Sequence, residues 1–229
     1  MKENALGFEF NYGPCRIFFG TKNSQILNLK KQYPDLQFLR LKQIHSATVE
    51  TVGVSTPDYQ LQGDALITAD KGLALCSITG DCVPLLLYCP VTQRVAAVHA
   101  GWKGVASRIV PATIDRLCES GSPAESLRLW IGPHILQRSF EVERDVASQI
   151  LNSIATTPEN APEIAVAKDN GRFDLSLLSV LLEQIASKGV PLENVEMELR
   201  DTKTDEQFHS ARRDKELSGR QISWICLNP

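Results

Sequence analysis

The sequence has no CxxC pair, only four histidines and no apolar run of membrane-spanning length. Each shortage excludes something. Without paired cysteines there is no basis for a four-cysteine structural zinc site. Any metal centre must therefore draw on His45, His99, His134 and His209. The same shortage disfavours a multicopper site, which needs many histidines. No stretch approaches the roughly 20 apolar residues of a transmembrane helix. The opening MKENALGFEF lacks the apolar core of a signal peptide, so the expected placement is the cytoplasm. A net charge of −3 supplies no basic field for nucleic acid. In this setting the six cysteines (Cys15, Cys76, Cys82, Cys89, Cys118 and Cys226) are expected as reduced thiols rather than a disulfide framework.

What is present reads as one domain, since no repeat, low-complexity tract or linker divides the 229 residues. Short apolar or alternating runs bounded by turn residues predict strands over 8–12, 15–19, 38–41, 48–54, 65–68 and 73–78. The same pattern recurs over 83–89, 95–100, 127–131, 195–199 and 222–227. Helical spacing of apolar residues predicts helices over 24–32, 106–119, 142–154 and 174–188. Strands and helices do not alternate strictly. The expected class is therefore α+β, with mixed or antiparallel sheets flanked by helices.

The runs 83–89 and 95–100 are separated only by Pro90 and a short polar turn. If they pair antiparallel, Cys82 before the first meets His99 near the end of the second. A thiolate beside an imidazole is the raw material of a zinc site or of a Cys–His nucleophile pair. His45, between two predicted strands, would complete a Cys-His-His set with an open position, the catalytic zinc pattern. Taken singly, each of the three reads more readily as a packed or surface residue; the pairing of Cys82 with His99 changes that balance. Asp81, Asp64 and Glu141 are the nearby candidates for a general base. The segment Gln207–Asp214 carries adjacent Arg212 and Arg213 beside Ser210, suited either to an oxyanion or to a solvated charge cluster. Arg220 adds a third cation nearby. Trp102 lies in the glycine-bracketed turn 101–104 and is a candidate for stacking a base or for core packing. Gln43, two residues before His45, is a further candidate substrate contact.

These segments also carry a resemblance. GDALIT, TGDCVPLLLY, VAAVHAGWKG, IGP with FEV, and SARRD followed by SGRQ stand in an order similar to that of the YfiH-like, or laccase-domain, family. The resemblance runs from the KQIH segment to the C-terminus. It implies an α+β fold and a catalytic zinc on His45, Cys82 and His99. The implied activities are phosphorolysis of adenosine, inosine and methylthioadenosine, and deamination of adenosine, so that purine nucleosides and phosphate are the small-molecule partners. Copper-dependent phenol oxidation and peptidoglycan-precursor editing are also attributed to members of the family. Against its pattern, the second IGP copy reads Leu136-Gln137-Arg138, and Ala211 stands for an aromatic residue. His209 stands for a phenylalanine, and residues 201–205 lack the usual cysteine. These departures bear on the substrate pocket rather than on the three ligands. A metal-free Cys–His hydrolase, with Cys82 as nucleophile and His99 as base, is the alternative reading.

Overall fold

The computed structural model describes residues 2–229. Strands β1 (Lys2–Asn4), β2 (Gly7–Tyr12) and β3 (Cys15–Gly20) lead into helix α1 (Ile26–Gln32). Strands β4 (Gln37–Leu39), β5 (Val49–Thr51), β6 (Ala65–Thr68) and β7 (Leu73–Thr79) follow. Then come the central hairpin β8 (Val83–Cys89) and β9 (Arg94–Ala100), and helices α2 (Trp102–Ala106) and α3 (Ile109–Glu119). Next are β10 (Arg128–Ile131), β11 (Glu141–Val142), α4 (Arg144–Asn152), β12 (Ala165–Ala167), β13 (Phe173–Leu175) and α5 (Leu177–Ala186). The chain closes with β14 (Val195–Met197), α6 (Ala211–Asp214) and β15 (Gln221–Leu227).

One six-stranded sheet has the order β1-β2-β3-β15-β7-β4, and a second the order β14-β10-β8-β9-β6-β5. A small sheet, β11-β13-β12, stands apart. Most pairs are antiparallel, but β4/β7, β5/β6 and β10/β14 are parallel. The sheets are mixed, as the sequence implies.

Side-chain alternation along β8 explains the layering. Every residue of β8 is buried, so the strand is covered on both faces. Leu85, Leu87 and Cys89 join the core under the helices, with Val110 and Ile114 of α3 and Leu181 and Ile185 of α5. Leu86 and Tyr88 point the other way, into a core shared with Phe19, Leu75 and Ile225 of the first sheet. The outer face of that first sheet is covered in turn by α1, through Leu29 and Tyr33 against Trp224, Phe18 and Phe38. The result is helices, sheet, sheet and helix in stacked layers. Each leucine buried here stabilises the fold by roughly 1.5–3 kcal/mol. No helix among the described residues is long and apolar enough to cross a membrane.

Two helices differ from expectation. Residues 101–104 are not a free turn, because helix α2 already starts at Trp102. It cannot run on into α3 because Pro111 has no N–H and its ring would collide with the carbonyl four residues earlier. The chain breaks instead at Arg108, which adopts left-handed φ 62° and ψ 44°. Pro111 then falls in the first turn of α3, where no intrahelical donor is needed. The helix expected from Asp174 begins at Leu177, capped by Ser176, whose side chain accepts from the Ser179 N–H. Asp174 lies instead in β13, opposite Glu141 and Val166.

Candidate metal centre and active site

The hairpin register brings the first two ligands together. Val83 pairs with Ala100 and Pro84 with His99, so Cys82, one residue before β8, lies beside the chain leaving β9. His99 is 3% exposed and Cys82 half-buried. His45 comes from the loop between β4 and β5 and adopts left-handed φ 58°. One ligand atom from each of His45, Cys82 and His99 lies within 4.8 Å of the others. Among the described residues this is the one cluster of three or more His, Cys, Asp or Glu groups with such geometry.

Asp64, at the start of β6, holds the cluster in shape. Its side chain is fully buried. Oδ1 accepts from the His45 backbone N–H at 3.0 Å, and Oδ2 accepts from the Ser46 N–H at 2.6 Å and the Ser46 hydroxyl at 2.7 Å. Oδ1 also meets His99 Nδ1 at 2.9 Å, while the Asp64 carbonyl accepts from the His99 N–H at 2.8 Å. Burial alone would raise the Asp64 pKa, but hydrogen bonds from His99 and Ser46 outweigh it and hold the carboxyl at about 2. The ionised carboxylate holds a proton on His99 Nδ1. Burial would lower the pKa of the ring, but hydrogen bonds with Asp64 and Cys82 outweigh it and raise it to about 9, so Nε2 would take up a metal in exchange for its proton. Asp64 is thus a positioning residue rather than a free general base. The Cys82 thiol is likewise penalised by burial, yet hydrogen bonds from His45 and His99 push it down to about 6. A thiol lowered in this way favours the thiolate, the form that binds metal.

The residues present fit a tetrahedral ion of zinc type: one thiolate, two imidazoles, an orienting carboxylate behind one of them, and open space between. Gly101 keeps that space open. A Cβ on it would lie 2.7 Å from His45 Cδ2 and 3.1 Å from Cys82 Sγ. Its backbone, at φ −72° and ψ 164°, would suit alanine. Gly101→Ala is therefore expected to lower the stoichiometry of any metal held by the three ligands sharply, measured by metal analysis, while leaving the melting temperature of the metal-free protein within a few degrees.

The cluster faces a cavity of about 360 Å³ walled by Leu41, Tyr59, Ile78 and Arg220. Gln43 also lines it, but its amide is engaged: Nε2 donates to the Ile78 carbonyl at 2.7 Å and Oε1 accepts from the Ile78 N–H at 2.8 Å. This clamp ties the His45 loop to β7. Asp81 does not line the cavity. At φ 94° its carboxylate accepts from Thr202 Oγ1 at 2.7 Å and from the Arg212 backbone N–H at 2.6 Å, and its carbonyl accepts from the Ile135 N–H. It pins three later segments to the residue beside Cys82. Glu141 pairs with Lys168 and Arg172, away from the cavity. Trp102 packs partly against the helical core.

The twin arginines are also displaced from the role considered for them. Arg213 donates to the carbonyls of Thr202, Lys203 and Phe208 and pairs with Asp214. Arg212 donates to the Glu141 carbonyl and lies over Phe140. The Arg213 donors are spent on the protein, Arg212 is exposed with one bond to a backbone carbonyl, and the cation that lines the cavity is Arg220. Arg213→Ala is expected to cost about 1–3 kcal/mol of stability by leaving carbonyls unpaired, read as a shift in denaturant midpoint. Its effect on phosphate dependence should be small. His134 and His209 lie outside the cluster. Tyr59 sits in a polar loop whose composition signals only a turn, so no sequence cue marks it.

The molecule is thus an α+β protein built on two six-stranded sheets, with a candidate Cys-His-His metal site at the mouth of its central hairpin. The sequence model of the family described as multi-copper polyphenol oxidoreductase laccase matches residues 20–228, and the chain belongs to that family. A purine nucleoside phosphorylase of Bacteroides thetaiotaomicron is 36% identical over 168 residues, 72% of this chain and 61% of its own length. The aligned part thus spans less than two thirds of that relative. One from Clostridium acetobutylicum, also named purine nucleoside phosphorylase, is 30% identical over 97% of this chain and 88% of its own. A protein named adenosine deaminase RL5, from an unknown prokaryotic organism, is 28% identical over 80% of this chain and 72% of its own. The crystal structure of the Bacillus licheniformis hypothetical protein YfiH superposes with a TM-score of 0.84 at 25% identity, covering 94% of each chain.

Proposed function

We propose that this protein is a zinc-dependent enzyme of purine nucleosides, performing phosphorolysis of adenosine, inosine and methylthioadenosine and deamination of adenosine. The observation that carries this reading is the His45–Cys82–His99 cluster, locked by Asp64 and open to a cavity with apolar walls and one cation. The names of the relatives support the substrate class. Zinc bound there would supply a Lewis acid where water is otherwise hard to activate.

The chain's own residues do the rest. Asp64 keeps His99 in one tautomer and holds the His45 loop. Leu41 and Ile78 offer apolar surface to a base. Arg220 sits where an oxyanion can reach it: Nη1 donates to the carbonyls of Ser218 and Gly219, at 3.0 and 2.7 Å, which holds the guanidinium at the rim. In phosphorolysis a phosphate oxygen bonds to C1′ as the C1′–N9 bond breaks and its electron pair leaves with the base. Arg220→Ala is expected to raise the KM for phosphate roughly tenfold, about 1.4 kcal/mol, while deamination, which uses no phosphate, stays within about twofold. Steady-state kinetics with and without phosphate reads the difference.

Copper oxidation finds less support. His134 is tied to the Gly132 carbonyl and His209 packs against Gly219, leaving three ligands for one ion. The acidified Cys82 keeps a metal-free Cys–His hydrolase as the second reading. Metal analysis of the purified protein, followed by assay of adenosine with and without phosphate, separates the two. Full activity after complete metal removal would rule out the zinc enzyme. Bound zinc without release of base or ammonia from any purine nucleoside would rule out the substrate class.

A further inference from the structure

From its geometry we infer that Tyr59 is the base-stacking platform of the cavity and sets its preference for an aromatic base. This rests on the nucleoside reading above and names the residue that would carry it. Tyr59 is 46% exposed although it lines the cavity beside His45 and Cys82. Its backbone adopts φ 60°, a left-handed conformation unfavourable for a bulky aromatic residue. Such a conformation persists only where its surroundings impose it, and here they are identifiable.

The Tyr59 N–H donates to the Arg40 carbonyl at 2.9 Å. The Arg40 guanidinium lies over the Tyr59 ring, 5.1 Å from its centroid. That guanidinium is itself fixed by Asp58: Nη2 donates to Oδ2 at 2.7 Å and Nε to Oδ1 at 3.2 Å. Asp58 Oδ1 also accepts from the Arg40 N–H at 2.9 Å. The ring is therefore backed on one face by a cation, its backbone is tied to Arg40, and the side chain stays half exposed at the cavity wall. A flat, apolar, pre-oriented surface at the wall of a small cavity suits a heteroaromatic ring, and a cation behind a ring favours stacking with the electron-rich face of a purine. Trp102, the other aromatic candidate, does not line this cavity.

The test is adenosine affinity by titration calorimetry on the metal-free protein, paired with nucleoside KM and kcat on the zinc-loaded enzyme. Tyr59→Ala is expected to weaken adenosine binding about tenfold or more, as loss of one base stack does, and to raise KM by a similar factor with kcat within about twofold. Zinc content and the KM for phosphate should not change. Tyr59→Phe keeps the ring and should bind within about twofold of wild type. Unchanged binding in Tyr59→Ala overturns the inference, as does a loss in Tyr59→Phe equal to that in Tyr59→Ala. The reaction assignment fails separately. Tyr59-dependent adenosine binding without turnover would leave the stack in place and remove the chemistry, whereas a wild type that binds no adenosine removes both.

Discussion

Cys82→Ala is expected to abolish stoichiometric zinc binding and, with it, turnover of purine nucleosides. The thiolate is the only soft ligand in the set and the only anionic one. Two imidazoles alone hold zinc far more weakly, and a loss of about 10³-fold in affinity, about 4 kcal/mol, is the expected scale. Folding should survive. Cys82 precedes β8 rather than lying within it, and it is only half-buried. The core residues of the hairpin do not depend on its sulfur. The metal-free variant should therefore melt within a few degrees of metal-free wild type, while zinc should raise the melting temperature of the wild type alone, because a ligand that binds only the folded state stabilises it. Loss of activity by itself would not separate a zinc enzyme from a Cys82 nucleophile. Zinc does: chelation should inactivate the wild type and added zinc should restore it, and bound zinc should protect Cys82 from iodoacetamide. Activity that persists under chelation but is lost on alkylation would favour the nucleophile.

The parts of the molecule that the sequence reveals are those whose cause is local. Every residue of 83–89 is apolar or proline, a run buried on both faces, and its partner 95–100 follows across a turn too short for any other connection. Cys82 and His99 were thus readable as neighbours. His45 is suggested as a third ligand by the short supply of histidines, its place between two strands and the resemblance of its KQIH segment. What stayed hidden is long-range. Asp64 resembles a turn residue in Gly-Asp-Ala, and its partners at 45, 46 and 99 are brought to it by sheet pairing rather than by any spacing. Asp81 and Arg213 resemble catalytic and phosphate-binding groups because type and charge are all a sequence displays. Whether a guanidinium faces a cavity or three backbone carbonyls is decided by the fold. The three-residue strand β13 absorbed the start of a predicted helix because a strand that short has no period of its own. Pro111 was visible throughout, and the break at Arg108 follows from it, yet the apolar spacing on either side favours one continuous helix.

Asp64→Asn should be the most damaging change that preserves shape. The carboxylate accepts four hydrogen bonds, from His45 N, Ser46 N, Ser46 Oγ and His99 Nδ1. An asparagine amide has one accepting oxygen and one donating nitrogen. With the oxygen toward His45 and His99, the amide nitrogen faces the Ser46 N–H, donor against donor, and the His45 loop loses its anchor. Reversed, the nitrogen faces His99 Nδ1 and drives the imidazole proton to Nε2, the atom required for coordination. Either orientation forfeits a ligand's placement. The variant should lose about 2–4 kcal/mol of stability, since buried donors are left unmatched, and its zinc affinity should fall about 10–100-fold, the usual scale for losing the orienting partner of a metal-bound histidine. Denaturant titration with and without zinc reads both effects. Ser46→Ala alone separates the two: it removes only the loop-side hydroxyl bond to Oδ2, so it should lower stability while zinc affinity stays near that of wild type if the carboxylate acts on the site through His99. Zinc affinity within about twofold of wild type in Asp64→Asn would mean that packing of the imidazole, not the carboxylate, sets the geometry of the site.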